Sequence, residues 1–226
     1  MAHRKPSASV SPSILLVLTT LMCLLAFGER TFPVAAQKPE PDLTIDGQVM
    51  RDTLDFVTRT FKPSDCAVIE GCVPTTGTRR LMRFNVLTPN IGDVDLVLGD
   101  PSLNPEFFEY SPCHRHYHFS GYAEYALLMN NMERTLVITG RKQAFCLLDS
   151  LPYTDDAGRS SGYNCRFQGI TAGWADLYRK TLDCQWLDVT GVPPGNYLLR
   201  VTINPEHRLV ESDDTNNVAI VPVTIR

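Results

Sequence analysis

Three of the chain's five histidines, His114, His116 and His118, stand at alternate positions within Cys113-His114-Arg115-His116-Tyr117-His118. In an extended strand successive side chains point to opposite faces. This spacing therefore predicts one face carrying all three imidazoles, with Arg115 and Tyr117 turned away. Imidazole nitrogen is a good ligand for Cu(II), Zn(II), Fe(II) or Ni(II), and three per ion leave positions open for water, oxygen or a substrate. A polar strand facing solvent is the bland alternative, and it is a poor use of histidine in a chain with so few. A zinc hydrolase would want a glutamate adjacent to the histidines, as in His-Glu-x-x-His, and this stretch has none.

A second cluster sits near the end of the chain. Glu211, Asp213, Asn216 and Asn217 place four oxygen-bearing side chains within seven residues. That composition suits a hard cation such as calcium, and it also makes an ordinary solvated turn.

The elements that must hold these groups are short. Met50, Leu54, Val57 and Phe61 recur at i, i+4, i+7 and i+11, which predicts a short amphipathic helix within residues 48–62, ending before Pro63. Period-two patterning predicts strands over 80–88, 94–98, 122–129, 134–139, 143–148, 185–189, 196–203 and 218–225. Turn signals punctuate them at Gly99-Asp100-Pro101, Asn130-Asn131, Pro193-Pro194-Gly195 and Asn216-Asn217, and residues 150–164 read as a long surface loop. With no internal repeat and no long helical pattern, the expectation is an all-β, β-sandwich-like single domain with irregular loops and few short helices.

Charge and cysteine content set the compartment. His3, Arg4 and Lys5 precede an apolar run from Ile14 to Phe27. Fourteen residues fall short of the roughly 20 that span a bilayer, so residues 1–36 are expected to be a signal peptide, cleaved after Ala36 or earlier, near Gly28. No membrane span would remain. Residues 37–226 then form the domain, with 18 basic and 24 acidic residues and a net charge of −6. No basic patch argues for nucleic acid, and an acidic surface mildly favours cationic ligands. Cys23 leaves with the signal. The remaining six cysteines, in a secreted chain lacking any CxxC pair, predict three disulfides with fifteen possible pairings.

At the histidine stretch a family resemblance becomes specific. Phe108-Glu109-Tyr110-Ser111-Pro112 followed by Cys-His-x-His-x-His resembles the copper-binding signature of the lysyl oxidases. Similar blocks follow in order: Lys142-Gln143-Ala144-Phe145-Cys146-Leu147, Asp176-Leu177-Tyr178, Asp183-Cys184-Gln185-Trp186, Pro194-Gly195-Asn196-Tyr197, and Val210 to Asn217. They cover essentially all of residues 42–225. Phe108 and Tyr110 stand where the family has tryptophans.

The resemblance implies copper at His114, His116 and His118, and a lysine tyrosylquinone made from Lys142 and Tyr178. Lys180, nearer to Tyr178 in sequence, matches no family lysine. Primary amines, as small molecules or peptidyl lysine, would condense with the quinone, lose an α-proton to Asp176 or Asp183, and leave as aldehydes. Oxygen would then regenerate the quinone with release of hydrogen peroxide and ammonia. Either aspartate could equally be a loop cap. The resemblance further implies calcium held by Glu211, Asp213, Asn216 and Asn217 with Asp42 and the Leu43 carbonyl. It implies disulfides Cys66–Cys113, Cys72–Cys184 and Cys146–Cys165. A further family pair is missing here, its positions taken by Pro152 or a neighbour and by Trp174. No collagen-associating or scavenger-type segment is recognisable, so the expected activity is on primary amines rather than on collagen or elastin in particular. The competing expectation comes from residues 191–225, which resemble cell-adhesion-type immunoglobulin-like sandwiches: a non-catalytic binding module whose histidines hold zinc structurally. The sequence leaves the oligomeric state open.

Overall fold

A computed structural model of the chain describes residues 38–141 and 145–226. The signal-peptide expectation for residues 1–36 and the position of Lys142 lie outside those residues.

Strict alternation builds the largest sheet. Along Gly195–Ile203 the side chains of Tyr197, Leu199, Val201 and Ile203 are buried, and along Val218–Ile225 those of Ala219, Val221, Val223 and Ile225. Both strands thus press one apolar face inward, as period-two patterning requires. The antiparallel order is Val218–Ile225, Gly195–Ile203, Ala123–Met129, Leu136–Thr139. A three-stranded sheet joins Asp55–Phe61, Gly77–Arg83 and Trp186–Asp188. Another places Trp174–Tyr178 between Val86–Pro89 and Leu151–Pro152. Two strand pairs complete the set, Leu96–Gly99 with Gln168–Ile170 and Phe108–Ser111 with His116–Phe119. The buried faces meet in one core around Met50, Phe84, Tyr122, Tyr125, Leu127 and Leu187. Helix among the described residues is confined to Gly47–Thr53, Cys66–Ile69 and a 3-10 turn at Pro101–Leu103. None is long and apolar enough to cross a membrane. The chain is mostly strand with irregular loops, as expected for its fold class.

Three local expectations are corrected. The helix expected over 48–62 stops at Thr53, and Asp55–Phe61 is a strand. Val57 and Phe61 are four apart, a spacing that fits one helical face and one strand face equally. The β-branched and aromatic content of Asp-Phe-Val-Thr-Arg-Thr-Phe decides for the strand. The strand expected over 80–88 is two strands in different sheets, broken between Arg83 and Val86. At 143–148 the described residues form no strand, only a bridge from Phe145 to Phe119.

The six cysteines pair as Cys66–Cys113, Cys72–Cys184 and Cys146–Cys165, with Cα–Cα separations of 5.8, 5.3 and 5.1 Å. Cys66–Cys113 ties the short helix to the residue before His114. In the chain-entropy model, closing its loop of 47 residues contributes about 4 kcal/mol.

Candidate metal centre and catalytic cavity

The histidines sit on a hairpin. Phe108–Ser111 and His116–Phe119 pair with Ser111 opposite His116 and Glu109 opposite His118. His116 and His118 share a strand face, as the alternate spacing requires. His114 does not lie in that strand. It belongs to the four-residue turn between the strands, which closes through the Arg115 N–H to Ser111 O bond of 2.7 Å with Arg115 at φ 60°. The left-handed residue bends the chain back so that the third imidazole joins the other two. The expectation of one strand face carrying three histidines is therefore right for two of them, and the turn delivers the third.

The ring nitrogens converge. His118 Nε2 is 3.0 Å from His116 Nε2 and 3.2 Å from His114 Nδ1. Two ligands about 2.0–2.1 Å from one ion, at angles of about 90–110°, are about 2.9–3.4 Å apart. The spacing already fits a shared ion. Burial, and then the charge of neighbouring His114, hold His116 below the usual imidazole range, which favours the neutral ligand form.

The three histidines line a cavity of about 480 Å³ together with Phe145, Leu148, Asp176, Leu177, Tyr178, Leu182 and Asp183. The strand Trp174–Tyr178 supplies Asp176 and Tyr178 two positions apart, hence on one face. The Tyr178 ring stacks on Phe145 at 4.7 Å and meets the edge of Tyr122 at 5.8 Å. Its hydroxyl donates to Cys146 O at 3.3 Å. Burial, and then the nearby Asp176 carboxyl, push this phenol far above its ordinary range. Asp176 is 1 % exposed and accepts from Leu148 N at 3.2 Å and Ser150 Oγ at 3.1 Å. Hydrogen bonds from Tyr178, Leu148, Ser150 and Leu177 do not offset its burial, and its pKa is pushed up to about 7. Asp183 lies at the rim in an ion pair with Arg59 at 2.6 Å. Lys180 points elsewhere, donating to Thr53 O at 2.8 Å and pairing with Asp55 at 2.9 Å.

Several residues that position the cavity carried no signal in the sequence. Gln168 accepts from Leu147 N at 2.9 Å and donates to Tyr117 O at 2.8 Å, joining the histidine strand to the segment after Phe145. Ser150 and Ser111 do similar work through single hydroxyls.

The C-terminal oxygen cluster also assembles. The Glu211 carboxylate accepts from Leu43 N at 2.8 Å, Asn204 Nδ2 at 2.6 Å and Asn217 Nδ2 at 2.9 Å. Asp42 accepts from Asn216 Nδ2 at 2.8 Å and Ser212 Oγ at 3.1 Å. The amide donors occupy the carboxylates as a cation would, while Asn216 Oδ1 and Asn217 Oδ1 are buried with no hydrogen-bond partner. Asp213 caps an exposed turn, accepting from Thr215 N at 2.8 Å.

Comparison with known proteins agrees with this geometry. The family model described as Lysyl oxidase matches residues 41–225. The chain is 38 % identical over 194 residues to lysyl oxidase homolog 2 of Bos taurus, covering 82 % of this chain and 24 % of that protein. It is 38 % identical over 207 residues to lysyl oxidase homolog 2A of Danio rerio, covering 87 % and 27 %. It thus spans about a quarter of the length of these relatives. A solved CARDB domain from Pyrococcus furiosus aligns over 82 % of this chain and 88 % of its own with 13 % identity and a TM-score of 0.31. With the family model matching nearly the whole of the described domain, over residues 41–225, the chain belongs to the lysyl oxidase family.

Proposed function

We propose that the protein is a secreted, copper-dependent amine oxidase that converts primary amines, small or peptidyl lysine, to aldehydes through a quinone formed from Lys142 and Tyr178. The observation that carries this reading is the meeting of three imidazoles, a buried phenol and a buried carboxylate in one cavity. His114 Nδ1, His116 Nε2 and His118 Nε2 would hold the copper, and their mutual spacing fits one ion. Bound there, copper with O2 supplies the oxidation of the Tyr178 ring, and the quinone supplies an electrophilic carbonyl for the amine.

The chain's own residues do the rest. Phe145 and Tyr122 hold the Tyr178 ring in one plane. Phe145, Leu148, Leu177 and Leu182 give the cavity an apolar wall that favours an uncharged amine over an ammonium. Asp176, buried and raised toward neutrality, takes the α-proton of the bound amine. Asp183, engaged by Arg59, is left as the rim carboxylate. Lys142, three residues before Phe145 in the sequence, would supply the amine that joins the ring. A leader peptide and three disulfides suit an oxidising, extracellular compartment.

Copper-loaded protein given a simple diamine should release hydrogen peroxide and ammonia, and a digest should yield the Lys142 and Tyr178 peptides as one cross-linked mass. Separate peptides and no peroxide would refute the oxidase and leave the metal-binding module as the reading.

Calcium belongs to the same proposal. The two orphaned amide oxygens of Asn216 and Asn217, beside Asp42 and Glu211, fit a hard cation that would tie the start of the domain to its last strand. Calcium at about 100 times its dissociation constant would add about 2.7 kcal/mol, raising Tm by about 5–10 °C for a domain of this size. Glu211→Ala should abolish the shift. Identical melting in calcium and in chelator would dispose of the site.

A further inference from the structure

We infer that Glu70 is a positioning residue for the histidine centre, acting through Ser111 to hold the turn that presents His114; this rests on the reading of that centre as a copper site. Ser111 ends the first strand of the hairpin and is 1 % exposed. Its carbonyl accepts the Arg115 N–H, and its hydroxyl accepts the His114 N–H at 3.1 Å. The hydroxyl has one proton of its own, and it gives that proton to Glu70 Oε1. The chain of hydrogen bonds therefore runs from His114 to Ser111 to Glu70, each step fixing the orientation of the next.

Glu70 is itself well placed to act as the anchor. It follows the helix Cys66–Ile69, and its N–H donates back to Cys66 O at 2.8 Å. Cys66 is bonded to Cys113, the neighbour of His114, while Cys72, two residues on, is bonded to Cys184. A carboxylate oxygen of Glu70 lies within 4.8 Å of the sulfurs of Cys72 and Cys184. Two disulfides thus bracket the acid that holds the turn. The carboxylate, one hydrogen bond from the turn, also favours a cation bound by the three rings. His114 cannot rely on strand pairing for its orientation, since it lies outside the strand; the Ser111–Glu70 relay supplies what the strand supplies to His116 and His118. Partners one step beyond metal ligands, when removed, typically weaken metal binding about 10- to 100-fold.

The test is Cu(II) titration of the full chain against a competing chelator, with the Cu(II) EPR spectrum recorded at saturation. Ser111→Ala and Glu70→Ala should each weaken copper binding about 10- to 100-fold and change the EPR parameters. Glu70→Gln keeps an oxygen acceptor for Ser111 and removes only the charge, so it should restore the wild-type spectrum with an affinity between the two. Wild-type affinity and spectrum in all three variants would overturn the inference. So would a Glu70→Gln spectrum as altered as that of Glu70→Ala, or a wild-type chain that binds no copper. A wild-type chain that binds copper, loses it in these variants and oxidises no amine would sink the oxidase reading and leave the inference standing. An active wild type with indifferent variants would do the reverse.

Discussion

Asp176→Asn will lower turnover of a primary amine by about two to four orders of magnitude while leaving the copper content unchanged. The substitution is nearly isosteric, and its amide can still serve Leu148 and Ser150, its oxygen accepting from Leu148 N and its nitrogen donating to Ser150 Oγ. What it removes is the ability to take a proton. Burial holds the native carboxyl at about 7 rather than 3.8. Below that value most molecules carry the proton already, so the enzyme adds its own acid limb to kcat/KM below about pH 7, and above it only deprotonation of the substrate amine still raises the value. In Asp176→Asn that acid limb disappears. Stability moves the opposite way. A folded pKa above the unfolded one means that the native chain binds the proton more tightly, so the contribution to stability is complete below about pH 4. It is lost as pH rises through about 7. The loss approaches about 4 kcal/mol, and the group is fully buried, so solvent screening takes little from it. Metal-free Asp176→Asn should therefore melt above the wild type at pH 8 and close to it at pH 4. An unchanged pH profile in Asp176→Asn, or an equal loss in Asp183→Asn, would move the base to the rim.

That difference between two aspartates shows what a sequence carries and what it does not. Both flank Tyr178, two residues before it and five after, and both match acidic positions of the family, so residue type does not tell them apart. Their divergence comes from Leu148 and Ser150 on one side and Arg59 on the other, at separations of 26 to 124 residues. The histidine cluster was legible because residue type alone announces a metal ligand, and alternation placed two of the rings. The third depended on Arg115 adopting φ 60°, and no glycine or asparagine marks that position. Cysteine pairing was a choice among fifteen from parity, and only the family likeness narrowed it. The same likeness placed an absent disulfide at Trp174 and at Pro152 or a neighbour, and Trp174 pairs with Pro152 across an antiparallel ladder. The 48–62 helix failed because spacings of four satisfy both periods. The hydrogen bonds from Gln168 to Tyr117 O and from Ser111 to Glu70 join residues 51 and 41 positions apart, and no local pattern records such pairs.

Tyr178→Phe will abolish both the visible quinone absorption and amine turnover while the three histidines go on binding copper. The phenol contributes little to holding the fold. Its hydroxyl proton is shared between Cys146 O, at a long 3.3 Å, and the Asp176 carboxyl, and losing these contacts costs about 1–3 kcal/mol. The ring keeps its stack on Phe145 and its edge contact with Tyr122, so the cavity retains its shape. Lys142→Arg should bleach the protein equally, for a different reason: a guanidinium keeps the charge but does not lose its proton near neutral pH, and so offers no free amine. Lys180→Arg is the discriminating control. Its native ammonium is held between Thr53 O and Asp55, and an arginine there can still pair with the carboxylate, so colour and turnover should survive. Colour persisting in Tyr178→Phe, or bleaching in Lys180→Arg with Lys142→Arg unaffected, would remove the assigned lysine or tyrosine from the cofactor. The logic is geometric. Only an amine that reaches the face of a ring already clamped beside three imidazoles can join it, and Lys180 is committed to a carboxylate outside the cavity.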